Sequence, residues 1–145
     1  MTSSGKIHRI SISKNKGEKK KNVDSVNLVI DRGIEGDAHF GSQRQVSLLP
    51  LESFIKVKHE LLNVQPGDFA ENITTTGIDL SRIQIGDTII IGENVKLTIM
   101  QIGKKCHNGC QIKKLVGDCI MPREGVFVRV VKGGKISVGD TIALQ

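Results

Sequence analysis

The chain has 145 residues, 38% of them hydrophobic; Ile, Val and Leu predominate among these, and Phe is the only aromatic type. This length suits a single domain over residues 1–145 with a substantial core. The formal net charge of +6 is compatible with a nucleic acid, an anionic small molecule or a simply soluble surface. No apolar run is long enough to span a bilayer, which excludes a helical membrane protein.

The composition also indicates a compartment. The residues that follow Met1 contain no apolar signal-peptide core. The three cysteines are an odd number, so a disulfide framework is not expected. We therefore expect a cytoplasmic location, where thiols stay reduced.

Frequent β-branched residues and 16 glycines predict short strands joined by turns. The first predicted strands are Ile7–Ser13, Val26–Ile30, Gln45–Leu49 and Phe69–Thr74. The later ones are Thr88–Ile91, Val95–Ile102, Val126–Val131 and Thr141–Leu144. Hairpin turns are predicted at Gly92–Asn94 and Lys132–Gly134.

Two short helices interrupt this pattern. Pro50 suits the first position of a helix, where its missing N–H costs nothing, and an apolar stripe continues that helix to Leu62. A second helix is predicted over Cys110–Val116. Many strands with few helices favour a mainly β fold, a closed or nearly closed β-barrel, because closure removes exposed strand edges.

One pentapeptide occurs twice in closely similar form. Ile85-Gly-Asp-Thr-Ile89 returns as Val138-Gly-Asp-Thr-Ile142, and each copy joins a turn to the start of a strand. The similarity is too short to indicate a repeat architecture.

The stretch Gln101–Cys110 gives the strongest indication of chemistry. Cys106 follows two lysines and precedes the second predicted helix; ammonium groups and a helix N-terminus both stabilise a thiolate, the form that attacks electrophiles and binds metals. Zinc held by Cys106, His107 and Cys110 is an alternative, but adjacent Cys and His are not a typical ligand pair, so we expect no structural zinc. Cys110 and Cys119 are interpreted as small buried residues.

Other segments carry candidate ligand residues. Gly36–Gly41 holds Asp37 and His39 on a glycine-bracketed turn that lets the backbone approach a ligand. The alternative is an ordinary loop in which Asp37 bonds its own backbone. Arg44 and Arg123 each suit an anion that accepts two parallel hydrogen bonds.

Two polar segments have a structural and a functional interpretation. In Pro66–Ile73, Glu71 and Asn72 are either ligands or turn caps. The lysine-rich run Lys14–Asn22 is either a solvated loop or a lid over an anionic ligand. A nucleic-acid partner is not expected, because no aromatic residues lie nearby for stacking.

Taken in order along the chain, these segments resemble the MOSC domain, a family named after the C-terminal domain of molybdenum cofactor sulfurase. The resemblance covers nearly the whole chain. It rests mainly on Pro66-Gly-Asp-Phe-Ala-Glu-Asn-Ile-Thr74 and on the cysteine downstream of it, Cys106. Supporting segments are Gly36–His39, Arg44–Leu48, Ile85–Asp87 and Arg123–Gly125.

The resemblance implies a predominantly β, barrel-like protein that binds a molybdopterin-type molybdenum cofactor or carries sulfur to it. Cys106 matches the family cysteine proposed to carry sulfur or to ligate molybdenum. The residues expected to surround the cofactor are Asp37, His39, Arg44, Glu71, Asn72 and Arg123. Expected partners are enzymes of cofactor synthesis, acceptor enzymes and a sulfur donor such as a cysteine desulfurase, because no pyridoxal phosphate site is expected in this chain.

Two alternative functions stay open from the sequence. A cofactor-dependent reductase of N-hydroxylated compounds would need an electron donor, and no flavin, haem or iron–sulfur pattern is visible. A non-catalytic module would instead use the cysteines only to bind a metal. No membrane partner is expected for either.

Overall fold

The computed structural model describes residues 4–16, 18–53, 65–103 and 125–145. Within these ranges the chain forms eleven strands, and residues 51–53 are helical. The strands are β1 (Ser4–Ile12), β2 (Lys21–Val23), β3 (Ser25–Val29), β4 (Gly33–Ile34), β5 (Val46–Pro50), β6 (Ile73–Thr76), β7 (Thr88–Ile91), β8 (Val95–Ile102), β9 (Val126–Lys132), β10 (Gly134–Ser137) and β11 (Thr141–Leu144).

Seven of the described strands close into a barrel. Their hydrogen-bonded order is β11-β7-β8-β9-β5-β6-β1, and β1 pairs back onto β11 with Gly5 opposite Ile142. The pairing of β5 with β6 is parallel, whereas the other barrel pairs are antiparallel. The prediction of a mainly β, closed barrel is therefore confirmed.

The barrel interior is filled by the β-branched and leucine side chains that the sequence supplies. Ile10, Leu48, Ile73 and Leu97 are fully buried, one from each of four barrel strands. A smaller sheet of order β10-β3-β4 packs its apolar residues into the same cluster. Side chains alternate across a strand, so strands such as β7 turn one face to this core and the other outward. The neighbouring strands β5 and β6 are instead buried on both faces.

Most predicted strands are confirmed, and three have the predicted bounds: Thr88–Ile91, Val95–Ile102 and Thr141–Leu144. The prediction of a strand over Phe69–Thr74 is wrong in its first half, since β6 begins only at Ile73. Ala70 has a φ of 63°, in the left-handed region that breaks an extended strand. Residues 69–72 are therefore irregular rather than extended, and their side chains are buried.

The two predicted hairpin turns have different outcomes. Gly92–Asn94 does connect the paired strands β7 and β8. Lys132–Gly134 is not a hairpin turn, because β10 pairs with β3 in the smaller sheet instead of folding back on β9. A Cβ atom at Gly133 would collide with the carbonyl oxygen of Leu28, so glycine permits the close crossing from one sheet to the other.

The first predicted helix is confirmed only at its start. Residues 51–53 are helical, and Pro50 is the last residue of β5 rather than the first of the helix. The remainder, to Leu62, and the helix predicted over Cys110–Val116 lie outside the described residues. Among the described residues, no helix has the length and apolarity needed to cross a membrane.

The twice-occurring pentapeptide contains a turn that is found three times in the described part of the chain. In Gln84–Asp87, Ser137–Asp140 and Gln65–Asp68 the glycine has a φ of 97°, 93° and 97°. In each turn the Asp carboxylate accepts a hydrogen bond from the N–H of the first residue, at 2.8, 2.8 and 2.9 Å. The positive φ requires glycine, and the carboxylate braces the turn. The third turn has Pro before the glycine, so its similarity to the other two is not obvious from the sequence.

Candidate functional site

A cavity of about 380 Å³ lies where the loop before β5 meets the end of β8. We call it the basic cavity; the described residues that line it are Lys16, His39, Ser42, Gln43, Arg44 and Gln101. None of these is Asp or Glu, so the walls described here carry positive charge and amide or hydroxyl groups. The cavity brings together two of the predicted site residues, His39 and Arg44.

Arg44 is held in place by two neighbours. Its Nε donates to Oε1 of Gln101 at 3.4 Å, and its guanidinium carbon lies 5.6 Å from the ring centroid of Phe127. A cation over an aromatic face at this distance contributes about 0.5–1 kcal/mol at an exposed site. These contacts use Nε and the guanidinium face, and no hydrogen bond or ion pair engages the Nη groups among the described residues. They can therefore donate to a ligand.

The segment that contains Cys106 and Arg123 begins and ends beside this cavity. The N–H of Gly103 donates to the carbonyl of Gly125 at 2.6 Å. The side chain of Gln101, which lines the cavity, donates to the carbonyl of Gly103 at 2.7 Å. Cys106 and Arg123 themselves lie outside the described residues.

Behind the cavity wall, Asp37 forms an ion pair with Lys20 that is closed to solvent. The Lys20 Nζ to Asp37 Oδ1 distance is 2.7 Å, and the two side chains are 1% and 0% exposed. Asp37 also accepts the N–H groups of Ser13 and His39, each at 3.1 Å. Burial alone would raise the pKa of Asp37, but the hydrogen bond and charge of Lys20 and the two N–H groups lower it.

This pair holds together the two loops that supply the basic cavity. Asp37 bonds its own backbone at His39, as an ordinary loop would, and in addition neutralises Lys20. The interpretation of Lys14–Asn22 as a solvated loop is therefore wrong for Lys20, although Lys14 and Lys21 are exposed. Loop lysines so close in sequence have opposite environments because only one of them reaches a buried carboxylate.

Glu71 is fully buried and does not line the basic cavity. Its Oε2 accepts the N–H of Gly67 and the hydroxyl of Thr74, both at 3.0 Å. Within the described part of the chain, its Oε1 has no hydrogen-bond partner. Burial raises the pKa of Glu71 to about 7, against the opposing effect of these donors and of nearby backbone N–H groups. Glu71 thus braces the turn at Gly67.

The raised pKa of Glu71 predicts that the stability of the fold depends on pH. Its folded pKa of about 7 exceeds the ordinary 4.5, so the folded state binds the proton more tightly and the free energy of unfolding falls as the pH rises between these values. The difference corresponds to about 3 kcal/mol. Glu71→Gln, which cannot ionise, should flatten this dependence in urea denaturation at pH 5 and pH 8. An equal fall in both proteins would contradict the assignment.

Asn72 fastens β1 to β5. Its Oδ1 accepts the N–H of Ser47 at 3.0 Å, and its Nδ2 donates to the carbonyl of Ser11 at 3.1 Å. Its own N–H and carbonyl bond to the same two residues. With only 1% of its surface exposed, Asn72 is a buried cross-strand link in the described structure.

The structure places at the site several residues that the sequence pattern marks only weakly. Lys16 was part of the lysine run, and Gln101 stood at the head of the cysteine-containing stretch, so their positions in the sequence were the only signal. Lys20 was predicted only together with Lys19 and Lys21, as a possible phosphate contact, because a lysine that becomes buried cannot be told from its exposed neighbours in the sequence. Among the described residues, no three His, Cys, Asp or Glu side chains are grouped to hold a metal.

Comparisons with solved structures show the fold. The YUAD protein from Bacillus subtilis superposes with a TM-score of 0.82 and 19% sequence identity, over 97% of this chain and 95% of that one. YiiM from Geobacillus stearothermophilus gives 0.74 and 21%, over 97% and 74%. YiiM from Escherichia coli gives 0.70 and 22%, over 97% and 69%. A search of curated proteins found no match.

A family model matches the sequence itself. The model of the MOSC domain aligns with residues 35–143, about three quarters of the chain. The matched range includes His39 and Arg44 of the basic cavity, the Pro66–Thr74 turn and Cys106. The closed barrel, the buried turn and this match agree, and the chain belongs to the MOSC domain family, which is associated with the molybdenum cofactor.

Proposed function

We propose that the protein binds a molybdopterin-type molybdenum cofactor in the basic cavity and transfers sulfur through Cys106. The observation that carries the proposal is the position of this cavity. Arg44 and Lys16 line the cavity. The segment that contains Cys106 leaves the barrel at Gly103 and rejoins it at Gly125, close to the same cavity. An anion site and a thiol would then serve one ligand.

The residues present fit such a ligand. The ammonium of Lys16 and the Nη groups of Arg44 suit its phosphate, which Arg can bind through two parallel hydrogen bonds. The amides of Gln43 and Gln101 and the hydroxyl of Ser42 offer the mixture of donors and acceptors that a pterin ring requires. The volume of about 380 Å³ lies in the range typical of small-molecule sites. When bound, the cofactor supplies molybdenum, a metal that accepts soft sulfur ligands.

Cys106 is close enough in sequence to serve this cavity. It is three residues beyond Gly103, and three residues of extended chain span at most about 11 Å. In the proposed loading step, the Cys106 thiolate attacks the outer sulfur of a donor enzyme's persulfide. The new S–S bond forms at Cys106 as the donor's S–S bond breaks, and the donor cysteine leaves as a thiolate. No electrons are gained or lost overall.

The other predicted residues have supporting roles in this proposal. Asp37 holds the His39 backbone through its Oδ2 and holds Lys20 through its Oδ1. Glu71 and Asn72 maintain the Pro66–Thr74 turn and its link to β1 and β5. Arg123, two residues before Gly125, is a second phosphate contact by its place in the chain.

Arg44→Ser is expected to weaken binding of a pterin that carries a phosphate ester by about 10- to 100-fold, because a charge-assisted contact contributes about 1.5–3 kcal/mol. Binding of 6-hydroxymethylpterin phosphate can be followed by pterin fluorescence, since the chain has no Trp or Tyr. Arg82→Ser, which removes the same charge from an exposed loop outside the cavity, is the matched control. Equal weakening by both variants would overturn the assignment of Arg44.

A further inference from the structure

A second cavity lies on the other side of the lysine-rich loop. Its volume is about 450 Å³. The described residues that line it include Ile12, Lys14, Glu18, Lys19, Lys21 and Val23. We call it the lysine cavity. It shares no described lining residue with the basic cavity.

The floor of the lysine cavity is one face of the β1–β2 hairpin. Ile12 lies directly opposite Lys21 in the antiparallel register, so their side chains project from the same face. Val23 follows Lys21 by two residues and therefore shares that face. Ile12 and Val23 also pack against the hydrophobic core. The cavity thus has an apolar floor continuous with the core and a lysine at its edge.

The charge around this floor is not balanced. Lys14 and Lys21 form no ion pair among the described residues, and Lys19 has only a contact at 4.0 Å with Asp68. The carboxylate of Glu18 accepts the side-chain amide of Asn15 at 3.0 Å. The described lining therefore holds three lysines and one carboxylate, and such an excess of positive charge on a concave surface attracts anions.

The buried Lys20–Asp37 pair separates the two cavities. Lys14 and Lys16, two residues apart, line different cavities, as do Gly36 and His39. The carbonyl of Ser13 accepts the N–H of Ala38 at 2.8 Å, which joins the two loops into one wall. A ligand of the lysine cavity is therefore distinct from a ligand held by Arg44.

We infer that the lysine cavity is a second binding site, which takes a phosphate monoester with an apolar body. The ammonium groups of Lys14 and Lys21 hold the phosphate, and the body covers Ile12 and Val23. Both parts of the ligand are needed: the phosphate alone leaves the apolar floor in water, and the body alone leaves the lysines unpaired.

Equilibrium dialysis with 1-naphthyl phosphate tests this inference on the whole chain. The double variant Lys14→Ser/Lys21→Ser should bind the probe about tenfold more weakly, because it removes both ammonium groups assigned to the phosphate. Lys132→Ser/Lys135→Ser removes the same charge from exposed positions outside both cavities, and it should change binding by less than about twofold. Inorganic phosphate and 1-naphthol should each bind more weakly than the ester.

The control variants and competitors separate the possible failures. Arg44→Ser should leave probe binding intact. If Arg44→Ser abolishes it, the probe occupies the basic cavity, which overturns the second site but not the proposed function. Equal loss in both lysine double variants would show a diffuse charge effect and overturn the inference. Displacement of the probe by a Glu-rich peptide at lower concentration than inorganic phosphate would assign the surface to a protein partner instead.

Discussion

Cys106→Ser is expected to abolish sulfur loading while leaving the fold intact. A serine hydroxyl is not ionised near neutral pH and cannot form a persulfide, whereas a thiol beside Lys104 and Lys105 gains thiolate character from their charge. The purified protein, incubated with a cysteine desulfurase and cysteine, should gain the mass of one sulfur atom. The variant should gain none and should unfold at the same urea concentration as the natural chain.

The other two cysteines provide the controls. Cys110→Ser and Cys119→Ser should both load sulfur normally. Limited iodoacetamide treatment of the folded protein at neutral pH, followed by peptide mass mapping, should modify Cys106 first. Faster labelling of Cys110 or Cys119, or normal loading of Cys106→Ser, would contradict the role given to this thiol.

Lys20→Met should lower the free energy of unfolding by about 3–5 kcal/mol, because it leaves the carboxylate of Asp37 buried without its partner. Methionine has a similar length and keeps the apolar part of the side chain. Urea denaturation at neutral pH measures the change. A loss of this size is a large part of the stability of a small domain, so residual folding should be checked by circular dichroism.

The neighbour Lys21 is the matched control for Lys20. It is exposed, and Lys21→Met should alter stability by no more than about 0.5 kcal/mol. The stabilisation from Asp37, whose pKa is lowered, is complete above the ordinary pKa of an Asp carboxyl and is lost as the pH falls through the lowered value. Lys20→Met should show less of this acid loss. Equal effects of the two Met substitutions would show that the ion pair is unimportant.

The burial of Lys20 determines which substitutions can test the lysine-rich loop for ligand binding. Replacing Lys19, Lys20 and Lys21 together would remove the buried pair and confuse folding with ligand binding. Substitutions at Lys19 and Lys21 alone preserve it. Because Lys19 and Lys21 line the lysine cavity and not the basic cavity, that double variant should bind the cofactor as the natural chain does. Weaker cofactor binding would place the cofactor phosphate at these two lysines.

Local features of the fold could be predicted from the sequence. The alternation and β-branching of Val95–Ile102 define its strand bounds correctly, because strand formation there depends on residues next to one another. The Gly-Asp pair likewise predicts the turn at Ile85–Asp87. The prediction of a strand at Phe69 was wrong because the left-handed conformation of Ala70 is imposed by packing and is not signalled by an alanine.

Contacts between residues far apart in the sequence could not be predicted from local patterns. Asp37 was a candidate from its glycine-bracketed turn, but its partner Lys20 lies on another loop and nothing local marks it. β10 pairs with β3 over more than a hundred residues, a choice that depends on the whole sheet. His39 was a candidate from the same turn and Arg44 from its capacity to bind an anion, but their shared cavity became visible only in three dimensions.

The most direct test of the central proposal is the cofactor content of the protein purified without air from a molybdenum-replete host. The proposal predicts about one pterin and one molybdenum per chain, measured by pterin fluorescence after oxidation and by elemental analysis. Arg44→Ser should lose most of both, whereas Arg82→Ser should retain them. Protein that carries neither pterin nor molybdenum, or Arg44→Ser that retains the full amount, would contradict cofactor binding in the basic cavity.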